Sequence, residues 1–306
     1  MRKRLIIFSL FLISFILVAV LYQNKGDTRS LRGSLIFAVD TRLPNQTLAG
    51  IRSGVKVGTG KGVWIQPLEG TSPKAKVLQP CSENAWCVNT DSPNYVVFGC
   101  GDSGVLYNVR DTQTVHIGVP AGERIVAFSL RENYAFTILE ERVYIRFYKI
   151  VDNRIVWSRI HPLENIPKPK TIHFAPKGSM ILMESGGWVY VLPAIRQKAK
   201  QTYQGRALGW SPDGTALVYI PSERLIIKYY PQHGSSFSVI SIPKGETPVA
   251  ISPDGLFVLT KTTYLDVRRL LPEVQAFRIR SLKTGKVQST IDAGWGVGNA
   301  YWVNKY

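Results

Sequence analysis

Apolar residues in this chain come in blocks of four to six, with turn-forming residues between them. The clearest case is Ala207-Leu208-Gly209-Trp210, then Ser211-Pro212-Asp213-Gly214, then Ala216-Leu217-Val218-Tyr219-Ile220. Ser-Pro-Asp-Gly suits a type I turn, because proline presets φ at the second position and glycine is favoured at the fourth. Short blocks rich in β-branched and aromatic residues on either side of such a turn predict a tight hairpin. Two further blocks follow, Leu225–Tyr230 and Ser236–Ile240. Four predicted antiparallel strands in about forty residues make the repeating unit of a propeller blade.

The pattern recurs along the chain. The stretch 249–260 repeats the corner as Ser252-Pro253-Asp254-Gly255, and looser copies surround Ala175-Pro176-Lys177-Gly178, Ser129-Leu130-Arg131 and Ser92-Pro93-Asn94. Corner residues Ser92, Ser129, Ala175, Ser211 and Ser252 are separated by 37, 46, 36 and 41 residues. Five units are complete, and the two ends supply a sixth. One strand is predicted at Gly298–Val303, and three at Ser34–Val39, Gly62–Gln66 and Lys74–Leu78. The expectation is an all-β, six-bladed β-propeller (six blades rather than seven) over residues 33–306, closed by pairing of its N- and C-terminal strands. Closure of that kind removes the open edges on which sheets aggregate. Outside the N-terminus the best helical periodicity is at Leu265–Val274, and Pro272 interrupts it.

The N-terminus follows a different rule. Arg2, Lys3 and Arg4 precede an uncharged run from Leu5 to Tyr22, 18 residues long. At about 1.5 Å per residue a helix of that length just crosses a hydrocarbon core. Val18-Ala19-Val20-Leu21-Tyr22-Gln23 lacks the small-x-small cleavage pattern of a secretory signal. The expected organisation is a cytoplasmic basic tail (1–4), a single-pass signal-anchor (5–22), a linker (23–32) and an extracytoplasmic propeller. That propeller would be periplasmic in a Gram-negative envelope, or secreted if the N-terminal segment is cut.

Composition and charge narrow the partners. Lys and Arg number 38 against 21 Asp and Glu, a net charge of +17. Such an excess attracts acidic partners over a distance. Outside the cytoplasm these are proteins or anionic envelope polymers, and nucleic acid is not expected. Cys81, Cys87 and Cys100 lie within twenty residues of one another. Their spacing suits no zinc site, while a disulfide among them is plausible in an oxidising compartment.

The Ser-Pro-Asp-Gly corner followed by an apolar strand resembles the TolB-type, WD40-like propeller repeat of bacterial envelope proteins. The resemblance covers most of the chain after residue 80 and is closest at Ser211–Gly214 and Ser252–Gly255. It implies the architecture and no particular activity. TolB itself has an extra N-terminal α/β domain, whereas here only about a dozen residues separate the apolar run from the first strand. The propeller of prolyl oligopeptidases is similar as well, but the hydrolase domain that accompanies it has no counterpart here.

No motif commits the chain to catalysis. Gly209-Trp210-Ser211-Pro212-Asp213-Gly214 places a serine near glycines, but Ser211 opens a hairpin rather than a strand-to-helix elbow. Gly58-Thr59-Gly60-Lys61-Gly62 lacks phosphate-loop spacing, and Asn45-Gln46-Thr47 is a glycosylation sequon only in a suitable host. His116, His161, His173 and His233 are scattered, so neither a metal nor a cofactor is expected. Asp213 and Asp254 are explained by their turns. In contrast, two connections between second and third strands are long, Leu43–Lys61 and Thr262–Gln275, and they fall on adjacent blades. Binding residues concentrate on such loops. Arg52, Lys56, Tyr264, Arg268 and Arg269 are therefore the candidate binding residues. The expected function is a non-catalytic binding platform in the cell envelope, and the alternative is a hydrolase- or lyase-type enzyme with its site in the axial channel.

Overall fold

The computed structural model describes residues 31, 33–39, 62–68, 76–81, 85–163, 166–176, 180–193, 201–266, 271–294 and 297–303. The predicted anchor at 5–22 lies outside them. Among the described residues every regular element is a β-strand, and no helix is long and apolar enough to cross a membrane.

The strands are short, and each antiparallel group of four runs outward from a first, innermost strand. The chain begins with β1 (Ser34–Val39), β2 (Gly62–Pro67) and β3 (Lys76–Pro80). Two meanders follow: β4 (Ala85–Thr90), β5 (Tyr95–Cys100), β6 (Ser103–Asn108) and β7 (Thr114–Gly118), then β8 (Glu123–Ser129), β9 (Tyr134–Leu139), β10 (Arg142–Val151) and β11 (Arg154–Leu163). The next sheet is β12 (Thr171–Phe174), β13 (Met180–Ser185), β14 (Trp188–Pro193) and β15 (Gln201–Gln204). After it come β16 (Arg206–Trp210), β17 (Ala216–Ile220), β18 (Leu225–Tyr230) and β19 (Ser235–Ser241). The last complete sheet is β20 (Glu246–Ile251), β21 (Phe257–Asp266), β22 (Leu271–Ser281) and β23 (Val287–Gly294). The final strand, β24 (Val297–Val303), pairs with β1 in the order β24-β1-β2-β3, with Leu35 opposite Trp302 and Ile36 opposite Tyr301.

Four sheets are thus separate four-stranded units, and the two meanders are joined into one closed sheet by short parallel bridges. Asn89 and Thr90 of β4 pair with Ala127 and Phe128 of β8, and His116 and Ile117 of β7 with Arg154 and Ile155 of β11. Innermost strands touch in the cycle β4, β8, β12, β16, β20, β24 and back to β4. The arrangement is propeller-like.

Stacking of sheet on sheet explains why the middle strands read as continuous apolar runs. Both faces of β9, β13 and β17 are covered, so Ala135, Phe136, Leu182, Met183, Leu217 and Val218 are all buried. Outer strands are covered less, and β11 and β19 are mostly exposed. Each hydrophobic cluster draws on two successive sheets. Tyr134, Phe136 and Ile138 meet Ile172, Phe174 and Ile181, while Leu217 and Ile226 meet Ile251 and Val258. Between the last two sheets Phe37 packs edge-on to Phe277 at 5.7 Å, and Phe257 stacks on Trp302 at 6.2 Å. At roughly 25 cal/mol per Å² these interlayer faces are the main stabilising term.

Polar latches fix the order of the sheets. The Asp91 carboxylate, in the corner after β4, accepts from Ser129 Oγ at 2.7 Å and from the amides of Leu130 at 2.8 Å and Arg131 at 3.1 Å. Trp210 Nε1 donates to the His173 carbonyl at 2.9 Å. Cys81 and Cys100 form a disulfide that ties the chain leaving β3 to β5, while Cys87 is a free, buried thiol. Register explains the choice, since Cys100 ends β5 opposite Ala85 at the start of β4, whereas Cys87 faces Phe98 inside the core.

Candidate functional site

First strands carry the repeat's corner at their ends, so the corners converge around the axis of the ring. Gly214 N donates to Ser211 O and Gly255 N to Ser252 O, each at 2.9 Å, which closes the two Ser-Pro-Asp-Gly turns. Asp213 and Asp254 accept from Ser211 Oγ and Ser252 Oγ and so stiffen those turns. Both Ser211 and the two aspartates are accounted for by turn geometry.

Inside the ring of corners lies a cavity of about 270 Å³. Its rim is formed by Ser92, Pro93, Pro176, Pro212 and Pro253, and its walls by the ends of β4, β12, β16, β20 and β24. Because β12, β16, β20 and β24 are each paired on one side only, their other edges present backbone N–H and C=O groups toward the axis. Side chains on the walls are largely apolar, including Leu208, Ile251, Ala300 and Trp302.

Polar side chains on the wall include Asn89, Thr90, Tyr95, His173 and Tyr301, and two of them are bonded to each other. His173 Nδ1 lies 2.9 Å from Asn89 Nδ2, a bond from β12 to β4, and no residue of β8 lines the cavity. An amide nitrogen can only donate, so Nδ1 accepts and the ring proton sits on Nε2. Burial pushes the His173 pKa down to about 4, so the imidazole is neutral at physiological pH. Neighbouring repeats make room for it. His173 stands two residues before its corner, where the other four repeats have Thr90, Ala127, Gly209 and Ala250. At Gly209, with φ +134°, an added Cβ would lie 3.2 Å from Ile251 Cγ1 and 3.7 Å from His173 Nδ1. Asp91, the carboxylate on the wall, is engaged by its three donors in the next corner. The cavity therefore offers a neutral imidazole, an amide, hydroxyl-bearing side chains and strand edges to whatever enters it, and its one lining carboxylate, Asp91, is tied into a turn.

Of the binding residues expected from the sequence, only Tyr264 is among those described. Arg52, Lys56, Arg268 and Arg269 lie outside the described residues. Tyr264 is on β21, opposite Val274 of β22. Much of Thr262–Gln275 is not a loop, because the β21–β22 ladder continues out to the Asp266–Leu271 pair. Its Thr-Thr-Tyr run has high β propensity and extends the hairpin beyond its neighbours. His173 and Asn89 were not expected as site residues. The signal that could have found His173 is its offset from the corner, where a large ring stands in place of the small Thr90, Ala127, Gly209 and Ala250. Among the described residues no cluster of His, Cys, Asp and Glu could hold a metal ion.

No protein-family profile matches the chain, and no curated protein does. Solved structures do. TolB from Acinetobacter baumannii superposes with a TM-score of 0.58 at 14% identity, over 89% of this chain and 66% of that one. This chain thus spans about two thirds of the TolB chain. A protein of unknown function from Bacteroides caccae gives 0.54 at 11% identity, over 89% of this chain and 99% of the other. The β-propeller domain of a Myceliophteria thermophila protein gives 0.48 at 15% identity, over 76% and 81% of the two chains. At these identities the likeness is one of fold.

Proposed function

We propose that this chain is a membrane-anchored, extracytoplasmic, six-bladed β-propeller that acts as a non-catalytic binding platform in the cell envelope. The six-blade reading is supported by the closed cycle of first strands and by the pairing of β24 with β1. Anchoring rests on the basic, then apolar, N-terminal segment, and an oxidising location is favoured by the Cys81–Cys100 disulfide.

The observation that carries the binding reading is the axial cavity. Its walls are apolar surface and strand edges, its histidine is neutral and its carboxylate is tied into a turn. Such a site can take up an extended chain end or an apolar side chain from a partner docked on the rim. A photo-crosslinking residue at Pro212 or Pro253 in cells should give a discrete adduct. The same residue at Phe237, exposed on an outer strand, should give none. Val249→Phe, which fills the cavity from its wall, should abolish the adduct. Absence of rim adducts would remove the proposal.

The second reading, an enzyme acting in the channel, is favoured by His173 alone. It predicts turnover of an ester or glycoside by the purified chain that His173→Ala abolishes.

A further inference from the structure

On the face opposite the cavity, second strands turn into third strands and the chain enters each first strand. An aromatic ring stands here in the open. Trp188, directly after the Gly186-Gly187 turn, is 45% exposed. The turn beneath it is held firmly: Ser185, opposite Trp188 in the ladder, donates Oγ to the Lys168 carbonyl at 2.7 Å, and Gly205 N donates to Gly187 O at 2.8 Å. A rigidly held, exposed indole offers a flat apolar face on which a ligand ring can stack.

Cations continue from this ring across three successive sheets. Lys168 pairs with Glu141 at 2.7 Å, both side chains being well exposed. Lys170 Nζ and Arg206 Nε approach Glu184 at 3.3 and 3.9 Å from either side. Lys261, on β21, is close enough to Arg206 that, after burial, their mutual repulsion lowers its ammonium pKa. Beyond it Arg278 and Arg280 close on Glu246. Lys170 and Arg206 thus share Glu184, and Arg278 and Arg280 share Glu246. Those acids are buried, whereas the Lys170, Arg206 and Arg278 side chains remain 57%, 31% and 38% exposed. Exposed cations outnumber exposed carboxylates among these pairs, so the track favours anionic groups.

We infer that this face binds an anionic glycan, a chain of sugar rings bearing carboxylate or phosphate groups. One sugar stacks on Trp188, and the acidic groups lie along Lys170, Arg206, Lys261 and Arg278. The C–H face of a sugar matches an exposed indole, and a row of cations stepping from sheet to sheet matches a polymer with repeated charges. The inference deepens the binding-platform reading and names its partner by class.

The test uses the full chain in neutral-lipid nanodiscs, with polyguluronate, neutral dextran and oligo(dT) as probes. Polyguluronate should bind, more weakly as salt rises. Trp188→Ala and Lys170→Gln should each weaken it roughly tenfold with melting unchanged, and dextran should not compete. Equal affinity of both variants and the parent overturns the inference, as does competition by dextran. Oligo(dT) binding more tightly than polyguluronate with the same dependence on Trp188 assigns the face to nucleic acid instead. Rim adducts at Pro212 that persist when polyguluronate fails to bind leave the platform standing and sink this site alone.

Discussion

Replacing Glu246 by alanine is expected to destabilise the protein by about 3–5 kcal/mol, the usual cost of stranding buried cations. Glu246 opens β20 with its side chain 2% exposed. It accepts from Arg280 Nε at 2.7 Å, Arg278 Nη1 at 2.7 Å and Thr260 Oγ1 at 2.8 Å. Arg280 is itself only 9% exposed, so without the carboxylate its guanidinium would be buried and unpaired. Burial alone would raise the Glu246 pKa, but the hydrogen bonds from Arg280, Thr260 and Arg278 and the Arg280 charge outweigh it and hold the carboxyl at about 2.

A depressed folded-state pKa contributes stability that is present above the unfolded value and lost as pH falls through the folded one. For Glu246 that window runs from about 4.5 down to about 2. Over it the wild-type chain should lose on the order of 2–3 kcal/mol from this group. Glu246→Gln, which keeps the shape, should start lower at neutral pH and lack that part of the acid slope. Urea melts at a series of pH values check both statements. An unchanged slope in the glutamine variant would show that Arg278 and Arg280 are not held by this carboxylate.

Trp302→Ala should cost about 3–5 kcal/mol, as for a large aromatic removed from a core. Trp302 is 7% exposed, pairs with Leu35 in the β24–β1 ladder and stacks on Phe257 of the preceding sheet. Its loss opens a void at the seam where the chain's two ends meet. Trp188→Ala is the matched control, because an exposed ring contributes within about 0.5 kcal/mol. Thermal or urea unfolding of the two variants side by side reads the difference directly.

Much of the architecture is legible in the residues because its repeat is local. Proline and glycine at Ser211–Gly214 and Ser252–Gly255 preset the corner, and β17 and β18 follow at the expected spacing. The three strands after residue 33 and the one before residue 304 are legible for the same reason. Pairings made at a distance are less so. Nothing in Asn89 or His116 announces the bridges from β4 to β8 and from β7 to β11, which depend on how two meanders settle against each other. The disulfide partner was likewise open, because three closely spaced cysteines look alike until the β4–β5 register turns Cys87 inward. Candidate binding residues were sought in long connections, where Arg268 and Pro272 resemble a loop. Among the described residues, His173 beside its corner, and Trp188 and Arg206 at strand starts, lie on short, rigid elements. Their roles come from neighbouring sheets, which no local window contains.

The account depends most on the seam between β24 and β1. Hydrogen exchange read by mass spectrometry on peptides covering 34–39 and 297–303 tests it directly. The seam predicts that both segments exchange slowly and together, and that deleting residues 297–306 releases protection in 34–39. Rapid exchange in 297–303 beside a protected 34–39, or protection of 34–39 that survives the deletion, would contradict a ring closed by the two ends of the chain.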